Sequence, residues 1–357
     1  MNGETSVVRR HDAALDGVRG LAILAVIALH FDLIRGGFIG VDIFFVLSGF
    51  LITAILRAEI ERTGRVDYPV FYAKRLLRLV PALALCLVGV AIYSVVTGTG
   101  AAAVSPLLAA ATYTMNYAYA YKAVGDSLVG HTWSLAVEMQ FYLVWPFLFL
   151  LLCRKLSEKG VIAFMAGSAL ACALWRAIVS ARYGEASVDF TYRVIETRCD
   201  PLLIGGIVAL LVRRGTVFAS RAVFALACAF IAAVLWRVPA GKVVFHEFGF
   251  GLVGLATAYV VGFLASSGDK AVRRAFEVPA LRYLGRISYG VYLYHYPIVE
   301  GLRQQGVVHA PLWALPITLA AAALSFHFVE APILRLKPRA PGQGPASTGA
   351  ALRPAQP

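Results

Sequence analysis

The chain has 357 residues, 59% of them hydrophobic and only 15% charged, with a mean hydropathy of +0.73. A water-soluble globule of this size carries about 25% charged residues, so the composition excludes a soluble enzyme and indicates an integral membrane protein. The formal net charge of +13 has a ready origin in basic loops on one side of a bilayer and does not require nucleic acid as a partner.

Apolar runs alternating with short basic patches predict an all-α polytopic fold, because a backbone in lipid must satisfy its own hydrogen bonds. About ten transmembrane helices are expected, over residues 15–34, 38–56, 76–97, 135–153, 161–181, 195–212, 223–236, 243–265, 284–302 and 312–334. The apolar stretch 101–115 is expected to dip into the membrane without crossing. Arg57, Arg62, Arg65, Lys74, Arg75 and Arg78 crowd the loop after the second span, and Lys270, Arg273, Arg274, Arg282 and Arg286 crowd the one before the ninth. This asymmetry puts both termini in the cytoplasm. Residues 1–14 read as a cytoplasmic segment, 15–335 as one transmembrane domain, and 336–357, rich in Pro, Gly, Ala and Ser, as a disordered cytoplasmic tail. The first span carries Arg19 and His30 and lacks a cleavage site, so it reads as a retained helix rather than a signal peptide. Cys86, Cys153, Cys172, Cys199 and Cys228 lie scattered through apolar runs with no Cys-x-x-Cys spacing, and predict neither disulfide nor metal site.

The hairpin from Leu15 to Leu56 carries Asp16, Arg19, His30 and Asp42 where a membrane span should carry no charge. Each such group costs roughly 2.5 to 3.5 kcal/mol on insertion scales, so it faces a protein interior and marks function. Arg19 and His30 are eleven residues apart, about three turns plus 20°, which places them on one helical face about 16 Å apart along the axis. Asp42 lies about as far past the turn at Arg35, Gly36 and Gly37 as His30 lies before it, so a hydrogen-bonded His30–Asp42 pair is expected. On the second span Gly40 and Gly49 invite close approach of a neighbour, and Ser48, with no adjacent base, reads as an interhelical hydrogen bond.

In FYAKRLLRLVP, Arg75 and Arg78 share a face at the entrance of the third span. They serve either as positive-inside anchors or as a phosphate site, and Arg19, entering from the same side, favours phosphate. Tyr113, Tyr117, Tyr119 and Tyr121 in the long outer segment form either an interfacial belt or a platform for sugar rings. HTWSLAVEMQFYLVWP then brings Trp133 and Glu138 into the fourth span, with Glu138 expected in the same outer half as His30 and Asp42. Arg198 and Asp200 are two apart on the sixth span and share no face, so their partners are expected on different helices. His295 reads first as a core histidine and Tyr289, Tyr292, Tyr294 and Tyr296 as packing, with Glu330 near the inner end of the tenth span. Trp133, Arg198, Asp200 and His295 are second-rank candidates for substrate contact.

LDGVRG, the ten residues separating Arg19 from His30, GGFIGVDIFFVLSGFLIT, FYAKRLLRLVP and WSLAVEMQFYLVWP occur in this order. They are followed by TRCDPLLIGGIVA, LGRISYGVYLYHYPI and FHFVEAPILR. Together they resemble the acyltransferase 3 family of bacterial inner-membrane O-acyltransferases, over about 15–335. The resemblance implies transfer of an acyl group, usually acetyl, from cytoplasmic acyl-CoA to a hydroxyl of an envelope glycan, or in some relatives of a small molecule such as a macrolide. On that basis Arg19, Arg75 and Arg78 hold the acyl-CoA phosphates, His30 is the general base and Asp42 orients it, while Glu138 binds acceptor hydroxyls or assists proton transfer. An acyl-histidine relay is the variant scheme. One departure is Met139, where the family commonly has a second acid after Glu138. A transporter or flippase is the rival class, although neither related halves nor paired broken helices are visible.

Overall fold

A computed structural model describes residues 12–239 and 241–336, and among them every regular element is helical. Most of segment 1–14 and nearly all of the tail 336–357 therefore lie outside the described residues. The α-helices in chain order are α1 Ala13–His30, α2 Gly40–Thr63, α3 Tyr68–Val96, α4 Gly100–Ala111, α5 Met115–Ala120, α6 Trp133–Lys155, α7 Glu158–Tyr183 and α8 Val188–Arg193. There follow α9 Asp200–Arg213, α10 Arg221–Arg237, α11 Phe250–Ser266, α12 Lys270–Phe276, α13 Pro279–Gln304, α14 Ala310–Ser325 and α15 Ala331–Arg335. Side chains at the starts of several helices take up orphan N–H groups. Asp12 accepts from the backbone of Ala14 at 2.9 Å, Asp67 from Val70 at 3.1 Å and Ser157 from Gly160 at 3.2 Å. Phe245–Gly249 and Phe326–Glu330 are π-helical turns, which insert an extra residue per turn and re-aim His246 and Glu330.

Among the described residues, seven helical stretches are long and apolar enough to cross a membrane: Ala13–His30, Gly37–Thr63, Tyr68–Val96, Gly130–Lys155, Glu158–Arg193, Phe245–Ser266 and Ala310–Arg335. The protein is thus a multi-pass membrane protein, but the remaining three of the ten expected spans do not qualify. Helices α9 and α10, of 14 and 17 residues, reach about 21 and 26 Å, short of a hydrocarbon core of about 30 Å. Helix α13 is long enough at 26 residues, but Tyr, His, Ser and Arg occupy much of it and its buried face packs inside the bundle. The apolar stretch near 101–115 is the short helix α4, set off from α3 by a turn at Thr97–Thr99.

Two helix pairs form the centre, and both close through glycine. Helix α13 runs parallel to α1, with Gly285 against the backbone of Asp16 at one end and His295 against His30 at the other. A Cβ on Gly285 would stand 1.8 Å from the Asp16 carbonyl oxygen, and one on Gly17 1.8 Å from that of Phe276. Helix α9 is set against α2 in the same way, since a Cβ on Gly49 would stand 1.8 Å from the Leu202 carbonyl and one on Gly205 2.0 Å from that of Val46. In lipid, where apolar surface gains little from meeting more apolar surface, such close backbone approach is the main source of helix association. Trp145, Phe45 and Phe149, all buried, fill the space between α2 and α6, and Trp145 donates its Nε1–H to Thr53 at 3.0 Å.

Gly285→Ala is expected to push α13 off α1 and lower stability by about 1 to 3 kcal/mol, the usual cost of overpacking. Gly89→Ala, where nothing lies within 4 Å of the added carbon, is expected to be neutral or mildly stabilising. Melting temperatures of the two variants in one detergent check the contrast.

Candidate active site

Helix α1 links two polar clusters. At its first turns Asp16 and Arg19 form an ion pair at 2.6 Å. Arg75, from α3, lies with its guanidinium carbon 5.6 Å from the Phe71 ring and 5.9 Å from the Tyr142 ring, and its buried Nε has no hydrogen-bond partner. Arg19, Arg75 and Arg78 are close enough to repel one another, and Glu138 of α6 supplies the opposing charge. The Ser48 hydroxyl donates to Glu138, and the Tyr142 hydroxyl reaches Ser48 at 3.1 Å and Glu138 at 3.3 Å. Three guanidinium groups against two carboxylates, Asp16 and Glu138, framed by hydroxyls, leave a cationic excess that suits a polyanion.

At the far end of α1, half-buried His30 presents Nδ1 to the Val26 carbonyl at 2.9 Å and to Nε2 of His295 at 3.1 Å. The Tyr296 ring stands edge-on to His30 with centroids 5.0 Å apart. His131 completes the group, with Nε2 donating to the Leu293 carbonyl at 3.1 Å and its ring centroid 5.5 Å from that of His295. The Tyr292 hydroxyl donates to the His131 carbonyl at 2.6 Å, which leaves Ser134 as the donor in its 2.6 Å contact with Tyr292.

Beside the histidines lies a buried ionic layer. Arg198 donates to Asp42 at 2.8 Å and stacks on Phe250 at 3.7 Å, both side chains of the pair being fully buried. Arg176 grips Asp200 with two nitrogens at 2.9 and 3.0 Å and donates also to the carbonyls of Thr197 at 2.6 Å and His246 at 2.8 Å. Trp133 packs on Tyr192, 4.7 Å between centroids, and on Phe45, 6.4 Å. Outside the candidate spans, Tyr117 donates to Glu196 at 2.9 Å, and burial together with that carboxylate holds its hydroxyl well above the ordinary range. Arg193 lies over the Tyr119 ring at 4.9 Å, so both tyrosines are engaged by the protein itself.

These contacts revise several expectations. The His30–Asp42 pair does not form: α13 presses against α1 and takes the imidazole, while Arg198 takes the carboxylate. Glu138 turns toward the arginines, held there by Ser48 of α2, instead of joining His30. Arg198 lies in the turn before α9, and its partner on α2 and that of Asp200 on α7 are on different helices, as expected. His295 is, as expected, a buried core histidine with both ring nitrogens bonded, and one of those bonds runs to His30. His131, Tyr142 and Arg176 carry contacts that the motifs did not single out. A histidine at the mouth of an apolar run and an arginine inside one are the same kind of signal as His30 and Arg19.

The geometry defines a multi-pass helical membrane protein with a polar site sunk between its helices, cationic at one end of α1 and imidazole-lined at the other. The chain belongs to the acyltransferase 3 family, whose acyltransferase domain matches residues 12–330. It is 32% identical to the peptidoglycan O-acetyltransferase OatA of Listeria monocytogenes, in an alignment covering 93% of this chain and 57% of that protein. To the O-acetyltransferase OatA of Staphylococcus aureus it is 27% identical, over 91% of this chain and 57% of the other. The chain thus spans little more than half the length of these curated relatives. No solved structure matches it.

Removing Asp42 would strand a buried guanidinium, so Asp42→Ala is expected to cost about 3 to 5 kcal/mol, with part recovered in Asp42→Ala/Arg198→Leu. Asp32→Ala, which breaks an exposed pair with Arg303, should cost under about 1 kcal/mol. Thermal unfolding of the purified variants measures both.

Proposed function

We propose that the protein is an acyl-CoA-dependent membrane O-acyltransferase of the bacterial inner membrane, moving an acetyl group to a hydroxyl of an envelope glycan. The observation that carries the reading is the charge layout along α1, with Arg19 among Arg75 and Arg78 at one end and half-buried His30 at the other. Acetyl-CoA, the donor substrate, brings several phosphate charges. The unpartnered Nε of Arg75 and the cationic excess around it fit those charges. With the phosphates held there on the cytoplasmic side, the pantetheine arm runs beside α1 and carries the thioester toward His30.

His30 then takes the proton of the acceptor hydroxyl on Nε2. The hydroxyl oxygen bonds to the thioester carbonyl carbon, the carbon–sulfur bond breaks, and the departing thiolate recovers the proton from the imidazolium. No residue needs to be acylated in this direct scheme. Glu138, with Ser48 and Tyr142, positions the donor instead of the acceptor, and Asp42 acts by holding Arg198 beside the site. Trp133, Arg198 and His131 border the histidine end, where an aromatic face and hydrogen-bond donors suit a sugar ring. The curated relatives' names support O-acetylation, and peptidoglycan, the substrate in the name of the Listeria relative, is the first acceptor to test.

His30→Gln is expected to lower turnover by about 10² to 10⁴-fold while acetyl-CoA binding is unchanged. Arg75→Ala should do the reverse, weakening acetyl-CoA binding tenfold or more, roughly one lost charge-assisted contact of about 1.5 to 3 kcal/mol. Binding calorimetry and acetyl transfer to glycan fragments, measured on the same preparations, separate the two. Wild-type turnover in His30→Gln would overturn the reading.

A further inference from the structure

The pairing of His30 with His295 fixes where both imidazoles carry their protons. Nδ1 of His295 faces two carbonyl oxygens, that of Tyr292 at 2.7 Å and that of Val291 at 3.1 Å. A ring nitrogen facing only acceptors must bear the hydrogen, so the neutral ring of His295 has its lone pair on Nε2. That lone pair meets Nδ1 of His30 at 3.1 Å, and the other atom near Nδ1 is the Val26 carbonyl oxygen. Nδ1 of His30 is therefore also the protonated nitrogen, and its Nε2, with no hydrogen-bond partner among the described residues, is the bare one. Other groups around the pair leave this assignment intact. His131 spends its Nε2–H on Leu293, and Tyr296 presents only its ring to His30.

We propose that His295 is the positioning residue of the proposed base: its Nε2 accepts the Nδ1–H of His30, orients the ring and keeps Nε2 of His30 free to receive a proton. This rests on the reading of His30 as the base. A neutral imidazole here fills the place that a carboxylate fills in familiar acyl-transfer dyads. The burial of His295, 0% exposed, keeps water from competing for the bond. Its own donor bonds to backbone carbonyls on α13 fix the ring, so the orientation of the base is set by the packing of α13 on α1.

Two substitutions separate positioning from packing. His295→Asn retains a donor for the Tyr292 carbonyl but is too short to reach His30. His295→Gln extends a carbonyl oxygen to where Nε2 stood. In acetyl transfer from acetyl-CoA by the full chain in lipid nanodiscs, His295→Asn should lower kcat roughly tenfold or more with KM for acetyl-CoA unchanged, and His295→Gln should restore most of it. Solid-state NMR of ¹⁵N-histidine-labelled wild type, assigned by the loss of signals in His30→Gln and His295→Gln, should show a protonated Nδ1 and a bare Nε2 on both residues. A hydrogen on Nε2 of either ring would overturn the proposal, as would equal kcat in the Asn and Gln variants. Inactive His30→Gln together with wild-type kcat in His295→Asn would remove only the role of His295. Active His30→Gln would remove the base itself.

Discussion

The constraint on which the site depends is the contact between α1 and α13, where Gly285 meets the backbone of Asp16 with no room for even a methyl group. The two parallel helices stay in contact beyond that point. The packing places His295 against His30 nearly three turns beyond the glycine and Gly20 against Leu281 near the start. Helix α9 repeats the arrangement on α2, where Gly49 and Gly205 meet backbone and Arg198, just before α9, reaches Asp42. Small residues thus act at a distance. They carry no chemistry, yet they determine which polar side chains meet.

The polar groups in turn explain why the bundle tolerates so many charges. Asp42, Arg198, Arg176 and Asp200 are each almost wholly buried, and each has a carboxylate or guanidinium partner within 3.0 Å. A buried pair of this kind adds little net stability over an apolar substitute, but losing one partner is costly, so the layer specifies geometry more than it strengthens the fold. The arginine cluster at the other end of α1 is different. Three cations share Glu138, with Arg19 also paired to Asp16, and the balance remains positive. That contrast, matched charge in the buried layer and surplus cation at the end of α1 near Arg75, separates a structural layer from the site proposed to hold an anionic donor.

Much of this could be read along the chain because membrane burial makes charge conspicuous. Arg19, His30, Asp42, Arg198 and Asp200 stand out in apolar runs, and their helical spacing shows which share a face. Partner choice could not be read, because it depends on which helices touch. Equal depth suggested His30 with Asp42, whereas the glycine contacts bring α13 and the segment before α9 between them. Glu138 shows the same limit: its position along α6 was legible, but the turn of that helix toward Ser48 was not. The expected spans at α9, α10 and α13 do not match the length and hydropathy of the other seven, and an apolar run by itself does not tell whether the surroundings are lipid or other helices. Helix α13, rich in tyrosine and histidine, takes the second environment.

In the proposed reaction one helix, α1, joins the donor's phosphates at one end to its reactive carbon at the other. A cryo-electron microscopy map of the full chain in nanodiscs with acetyl-CoA tests it most directly. The phosphates are expected against Arg19, Arg75 and Arg78 and the thioester carbonyl beside Nε2 of His30. Donor density away from α1, or a thioester separated from His30 by closed packing, would contradict it.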